Sequence, residues 1–128
     1  MKAHFITVLL AFCVACGARS TVKVGEMTTM KVNEVFDAGT VVKGEVVKAS
    51  FVVKNTGDAP LVISEVRPSC SCTVADKPTE PIAPGMSTTI VAKVETANVS
   101  AKSITKSVTL VTNTEGSTKV LLIKAKIK

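Results

Sequence analysis

From Val32 onward, apolar and polar residues alternate with a period of two, and the apolar positions are rich in Val and Ile. β-Branched side chains pack well on a pleated surface, and strict alternation marks a strand with one buried face. The clearest run is GEVVKASFVVKN, residues 44–55. Val47, Ala49, Phe51 and Val53 lie on one face of it, with Lys48, Ser50 and Lys54 on the other. STTIVAKVE sets Ile90, Ala92 and Val94 inward. SITKSVTLVT does the same with Ile104, Val108 and Leu110. The chain closes on TKVLLIKAKIK, with Leu121, Ile123, Ala125 and Ile127 inward and Lys124, Lys126 and Lys128 outward. No segment shows helical apolar spacing over three turns.

Turn chemistry separates these runs. NTGDAP (55–60) holds Gly57 and Asp58, PIAPG ends on Pro84-Gly85, and NTEGS (113–117) reads as the turn of a final hairpin. TANVSAKS is small and polar, hence a loop. About seven short strands with frequent turns and no helix predict an all-β, immunoglobulin-like antiparallel β-sandwich over residues 31–128. Immunoglobulin domains proper pin their sheets with a Cys…Trp…Cys core. This sequence has no Trp and no Tyr, so aliphatic burial must hold the layers together.

The N-terminal MKAHFITVLLAFCVACGARS reads differently. Lys2 precedes an apolar run over 5–16 that is too short to cross a bilayer as a helix but has the length of a signal-peptide core. Residues 1–18 are therefore expected to be a signal peptide and 19–30 a short linker. CVACG resembles the lipobox of bacterial lipoproteins: Ala15 and Cys16 match, and Cys13 stands where leucine is usual. Cleavage before Cys16 would leave it acylated, with a membrane surface as a partner; ordinary cleavage near Gly17 or Ala18 would release the chain. Either route removes His4, the one histidine, and takes Lys2 from the 16 basic residues, leaving 15 against 10 acidic. Export and the lack of stacking aromatics argue against nucleic acid as a partner.

The segments FDAGTVVKGEVVKASFVVKNTGDAPLVISEVRPSCSCTV and PIAPGMS resemble an uncharacterised bacterial family, domain of unknown function fifteen-seventy-three. Phe36-Asp37-Gly39, Asn55-Thr56-Gly57, Pro60-Leu61, Pro68-Ser69-Cys70, Cys72-Thr73 and Pro84-Gly85 carry the resemblance, and Ser71 replaces the usual glycine. It implies a sandwich akin to the major-sperm-protein and pilus-chaperone type. It also implies a secreted or lipid-anchored protein of a Gram-negative-type envelope, periplasmic or membrane-attached. It brings no established activity.

The chemical candidates are few. Cys70 and Cys72 would share one strand face with Cα atoms about 6.6 Å apart, at the upper edge of disulfide reach. Four readings stand: small buried side chains, a strained redox-active dithiol with Arg67 lowering a thiol pKa, a Cu(I) site assisted by Met86 or Met27, or a partner-binding or intermolecular disulfide. A structural zinc would want four ligands where this pair offers two. Histidine-dependent triads are impossible once His4 is lost. Asp37, Glu45, Asp58, Glu65, Asp76, Glu80 and Glu95 fall on different turns and faces, as solvated charges do. The sequence thus points to a non-enzymatic envelope module without a cofactor. It would bind another envelope protein through strand edges or loops, with 67–75 as the most distinctive patch. Thiol-redox or Cu(I) handling through Cys70 and Cys72 is the alternative.

Overall fold

The computed structural model describes residues 26–128. The expected signal peptide, most of the linker and the Cys16 lipidation site lie outside the described residues. The described residues form eight strands: β1 (Met30–Val32), β2 (Val35–Val41), β3 (Val46–Asn55), β4 (Ile63–Pro68), β5 (Thr73–Ala75), β6 (Ser87–Glu95), β7 (Ser103–Thr112) and β8 (Thr118–Ile127). They build two four-stranded sheets, ordered β1-β3-β6-β5 and β2-β8-β7-β4. This is the immunoglobulin-like sandwich the alternation predicts. Three-residue β1 and β5 bring the strands to eight.

The inner faces follow the sequence period. β3 alternates exposed and buried without a break, and Val47, Ala49, Phe51 and Val53 face Ile90, Ala92 and Val94 across the same sheet. The second sheet answers with Val108, Leu110, Leu121, Ile123 and Ala125, all buried. The turn expected at NTEGS joins β7 to β8, with Ser117 N–H donating to Thr114 O and Thr112 N–H to Ser117 O.

One pairing between the described strands departs from the antiparallel rule. β2 runs parallel to β8, with Phe36 opposite Ile123, and its register shifts between Asp37 and Thr40. The shift has a local cause. Gly39 takes a φ of 68°, and its N–H donates to Asp37 Oδ1 at 2.8 Å. Positive φ is open to glycine without steric cost, and the Asp side chain closes the turn that a bulge needs.

The outer face of the first sheet carries a charge arrangement that pairing creates and linear sequence conceals. Lys31 stands directly opposite Lys54, and Lys48 opposite Lys93. Like charges directly across a ladder destabilise it, whereas opposite charges contribute roughly 0.2–1 kcal/mol. Lys93→Glu should therefore raise the thermal midpoint, with a gain of about 0.5 kcal/mol in urea unfolding that fades in high salt. An unchanged midpoint at low salt would show that the two ammonium groups do not sense each other.

Candidate functional site

The sequence PSCSCT marks the place where the chain leaves one sheet for the other. Pro68 ends β4, an edge strand, and has no N–H for a further partner. Ser69 makes the last contact with the second sheet: its N–H donates to Ser107 O at 2.8 Å, and its Oγ accepts from Ser107 N–H at 3.1 Å. The backbone then turns, with Thr73 N–H donating to Cys70 O at 3.2 Å, and enters β5 at the edge of the first sheet. Cys72 O accepts from Glu95 N–H at 2.9 Å and so begins the new ladder.

Cys70 and Cys72 are joined by a disulfide, with Cα atoms 5.3 Å apart. A straight strand would hold them about 6.6 Å apart, so the bond and the bend belong together. Both residues are half-buried, and both sulfurs lie against the buried Thr73 hydroxyl, at 3.6 and 3.8 Å. The ring closes around one intervening residue, Ser71. Chain-entropy stabilisation grows with loop size, and for so small a loop it reaches only about 1–2 kcal/mol. Global stability is therefore a minor consequence of this bond; local shape is the major one. Cys70→Ser combined with Cys72→Ser should lower unfolding free energy by no more than about 2 kcal/mol and leave the all-β circular-dichroism spectrum intact. A larger loss would mean that the sandwich itself depends on the bond.

The other candidates do not converge on the sulfurs. The Arg67 guanidinium pairs with Glu65 on the solvent side of β4. Met86 immediately precedes β6, whereas Cys72 bonds to the opposite end of that nine-residue strand, roughly 30 Å away. Met27 adjoins Thr28, whose hydroxyl donates to Asn55 at the same far end. Among the acidic candidates, Asp37 closes the β2 bulge, Glu45 accepts from Val42 N–H at 3.0 Å, and Glu65 holds Arg67. No cluster of three or more His, Cys, Asp or Glu side chains capable of holding a metal occurs among the described residues.

Beside the disulfide lies a cleft of about 710 Å³. Ser71, Cys72 and Val74 form one wall, and Val99, Ile104 and Lys106 line it from the loop after β6 and the start of β7. Sequence reasoning passed over Lys106. It occupies the inward register of β7, between buried Ile104 and Val108, and is half-buried. The signal was present in SITKSVTLVT, as the one lysine in a slot where the period calls for an apolar residue.

Two sheets of this order, with edge strands that switch sides, define a PapD-like, immunoglobulin-type sandwich. The profile of the family described as "Protein of unknown function (DUF1573)" matches residues 28–127, and the chain belongs to that family. A crystal structure of a protein of unknown function from Porphyromonas gingivalis W83 is similar over 80% of this chain and 48% of its own, at 24% identity and a TM-score of 0.71. The ASH/PapD-like domain 7 of human CEP192 aligns over 99% of this chain and 98% of its own, at 8% identity and a TM-score of 0.59. The secreted serine protease VesC from Vibrio cholerae matches over 78% of this chain but 23% of its own length, at 12% identity and a TM-score of 0.61. Such likenesses show the fold alone. The chain spans about half the length of the Porphyromonas protein and a quarter of VesC. No curated protein matches it.

Proposed function

We propose that this chain is an exported, non-enzymatic module of the bacterial cell envelope that binds another protein at the end of the sandwich built around the Cys70–Cys72 turn. The observation that carries this reading is the strand switch. The most distinctive sequence in the chain is used to move the backbone from one sheet edge to the other, and an open cleft results beside it. Clefts and unpaired edges of this kind serve recognition, with main-chain hydrogen bonds for affinity and side-chain pockets for specificity. A disulfide belongs in an oxidising compartment, which supports export through the expected signal at 1–18. Lipidation at Cys16 would keep the module at a membrane surface. The test is cross-linked capture from envelope fractions by the full-length protein. A single predominant partner, lost when the 67–75 turn is altered in a folded variant, supports the reading. Capture that ignores the turn counts against it.

A second reading draws on the disulfide itself. A half-buried bond between residues two apart suits a reversible redox couple, and its reduced form would offer two thiolates to Cu(I). Thiol titration with and without reductant, together with copper stoichiometry on the reduced protein, separates it from the first. A bond that resists dithiol reductants in the folded state excludes both versions.

A further inference from the structure

We infer that the cleft beside the disulfide is a vacant strand position, filled by an extended, acidic segment of a partner protein that pairs with residues 103–106 of β7. This rests on the interaction-module reading and gives it an address.

The register shows the vacancy. β7 pairs with β8 along its length, and Lys102 O accepts from Ile127 N–H, so even-numbered residues at this end direct their N–H and C=O groups toward β8. Odd-numbered residues direct theirs toward β4. Thr109 and Ser107 find partners there, Thr109 opposite Arg67 and Ser107 against Ser69. Thr105 and Ser103 have none among the described residues, because the chain has already turned at Cys70 and crossed to the other sheet. Straight continuation of β4 would have set Ser71 opposite Thr105; the 5.3 Å disulfide forbids that extended geometry. The N–H and C=O groups of both residues therefore face the cleft as an edge template.

Lys106 supplies the chemistry of the occupant. Its side chain stands on the inner face of β7 at the mouth of the vacancy and forms no ion pair or hydrogen bond among the described residues. Lysine half-buried on a core face normally pairs, because desolvating a lone ammonium is costly. A strand entering beside β7 places its inward side chains next to Ile104 and Lys106. The complementary sequence alternates β-branched residues with a carboxylate set against Lys106. Four β7 residues are available before Ser69 closes the edge, so the paired stretch is short.

The probe is a synthetic seven-residue peptide alternating valine and threonine with a central aspartate, alongside its asparagine counterpart. Titrated to millimolar concentration against ¹⁵N-labelled protein, the aspartate peptide should shift the amides of Ser103 and Thr105 and slow their hydrogen exchange. Thr105→Pro removes an N–H that β8 does not use and should weaken binding by about tenfold or more. Lys106→Met should weaken the aspartate peptide by about tenfold and leave the asparagine peptide unchanged. Retained β7–β8 amide shifts in both variants establish that the sandwich is intact. Absence of shifts at Ser103 and Thr105, or equal affinity in the variants, would overturn the inference. A concentration-dependent dimer abolished by Thr105→Pro would also overturn it, giving the edge to a second copy of this chain. If envelope capture persists in Thr105→Pro, the module reading stands and only this address fails.

Discussion

Asn55→Ala is expected to lower unfolding free energy by roughly 3–5 kcal/mol, with the loss read in urea or thermal unfolding. Asn55 is fully buried at the end of β3 and uses its whole amide. Nδ2 donates to Ala59 O at 2.7 Å and to Ile82 O at 2.8 Å. Oδ1 accepts from Thr28 Oγ1 at 2.9 Å and from Gly57 N–H at 3.0 Å. Alanine would leave the Ala59 carbonyl, the Gly57 N–H and the Thr28 hydroxyl without this partner, while Ile82 O keeps the Leu61 N–H. Each such orphan costs about 1–3 kcal/mol, reduced where the backbone relaxes toward solvent. Asn55→Asp keeps the acceptor but turns a double donor into a carboxylate facing two carbonyls, and should be at least as damaging. A loss below about 1 kcal/mol in Asn55→Ala would mean that water replaces the amide and the knot is not closed.

The same knot explains the neighbouring glycine. A Cβ on Gly57 would stand 2.2 Å from Thr28 Oγ1 and 2.7 Å from Thr29 N. Thr28 is the residue that bonds Asn55, so chain close to the N-terminus of the described region is threaded against the 55–60 turn. NTGDAP reads in sequence as a turn, and it is one. Its second role, as a hub joining β3, the segment before β1 and the Leu61–Ile82 bridge, depends on contacts from residues 27 positions away in both directions. Local propensity carries no trace of those.

That contrast runs through the molecule. Inner faces of β3, β6, β7 and β8 are legible because a period of two fixes which side chains point inward, wherever the strand ends up. The parallel pairing of β2 is not legible, since direction is set by the path of the connection rather than by side-chain pattern. The opposed lysine pairs were also hidden: Lys48 and Lys93 are 45 positions apart, and only the register brings them together. At the candidate site, the Cys pair was visible as chemistry, but its effect was not. A disulfide two residues long looks like a local ring; its consequence is that β4 stops short and the β4-side edge of β7 is left open at Ser103 and Thr105. Lys106 takes its meaning from that open edge, beside which its ammonium has no partner among the described residues. Sequence period announces each strand's faces, and edges are settled by how the strands are finally ordered.

Phe51→Ala is the second large effect, expected to destabilise by about 3–5 kcal/mol. Phe51 is 2% exposed on β3 and meets Phe36 of β2 edge-to-face, with ring centroids 6.3 Å apart at 65°. These are the two aromatic residues of the described chain, and each belongs to a different sheet. In a core otherwise made of Val, Ile, Leu and Ala, no neighbour has the reach to fill the space a phenyl ring leaves. Collapse must come from backbone movement, which two hydrogen-bonded sheets resist. Phe36 is half-buried and sits on the parallel edge strand, so Phe36→Ala should cost less, about 1–3 kcal/mol, and chiefly loosen β2. The double variant separates ring–ring attraction from burial: a coupling of about 0.5–1.5 kcal/mol is expected for an edge-to-face pair. Strict additivity would show that the two rings fill space independently. Small domains hold a net stability of only about 5–15 kcal/mol, so Phe51→Ala removes a large share of what keeps the sheets together. Hydrogen exchange should show the effect spreading from β3 into β2 and β8, because the ring bridges the layers and does not merely line one of them.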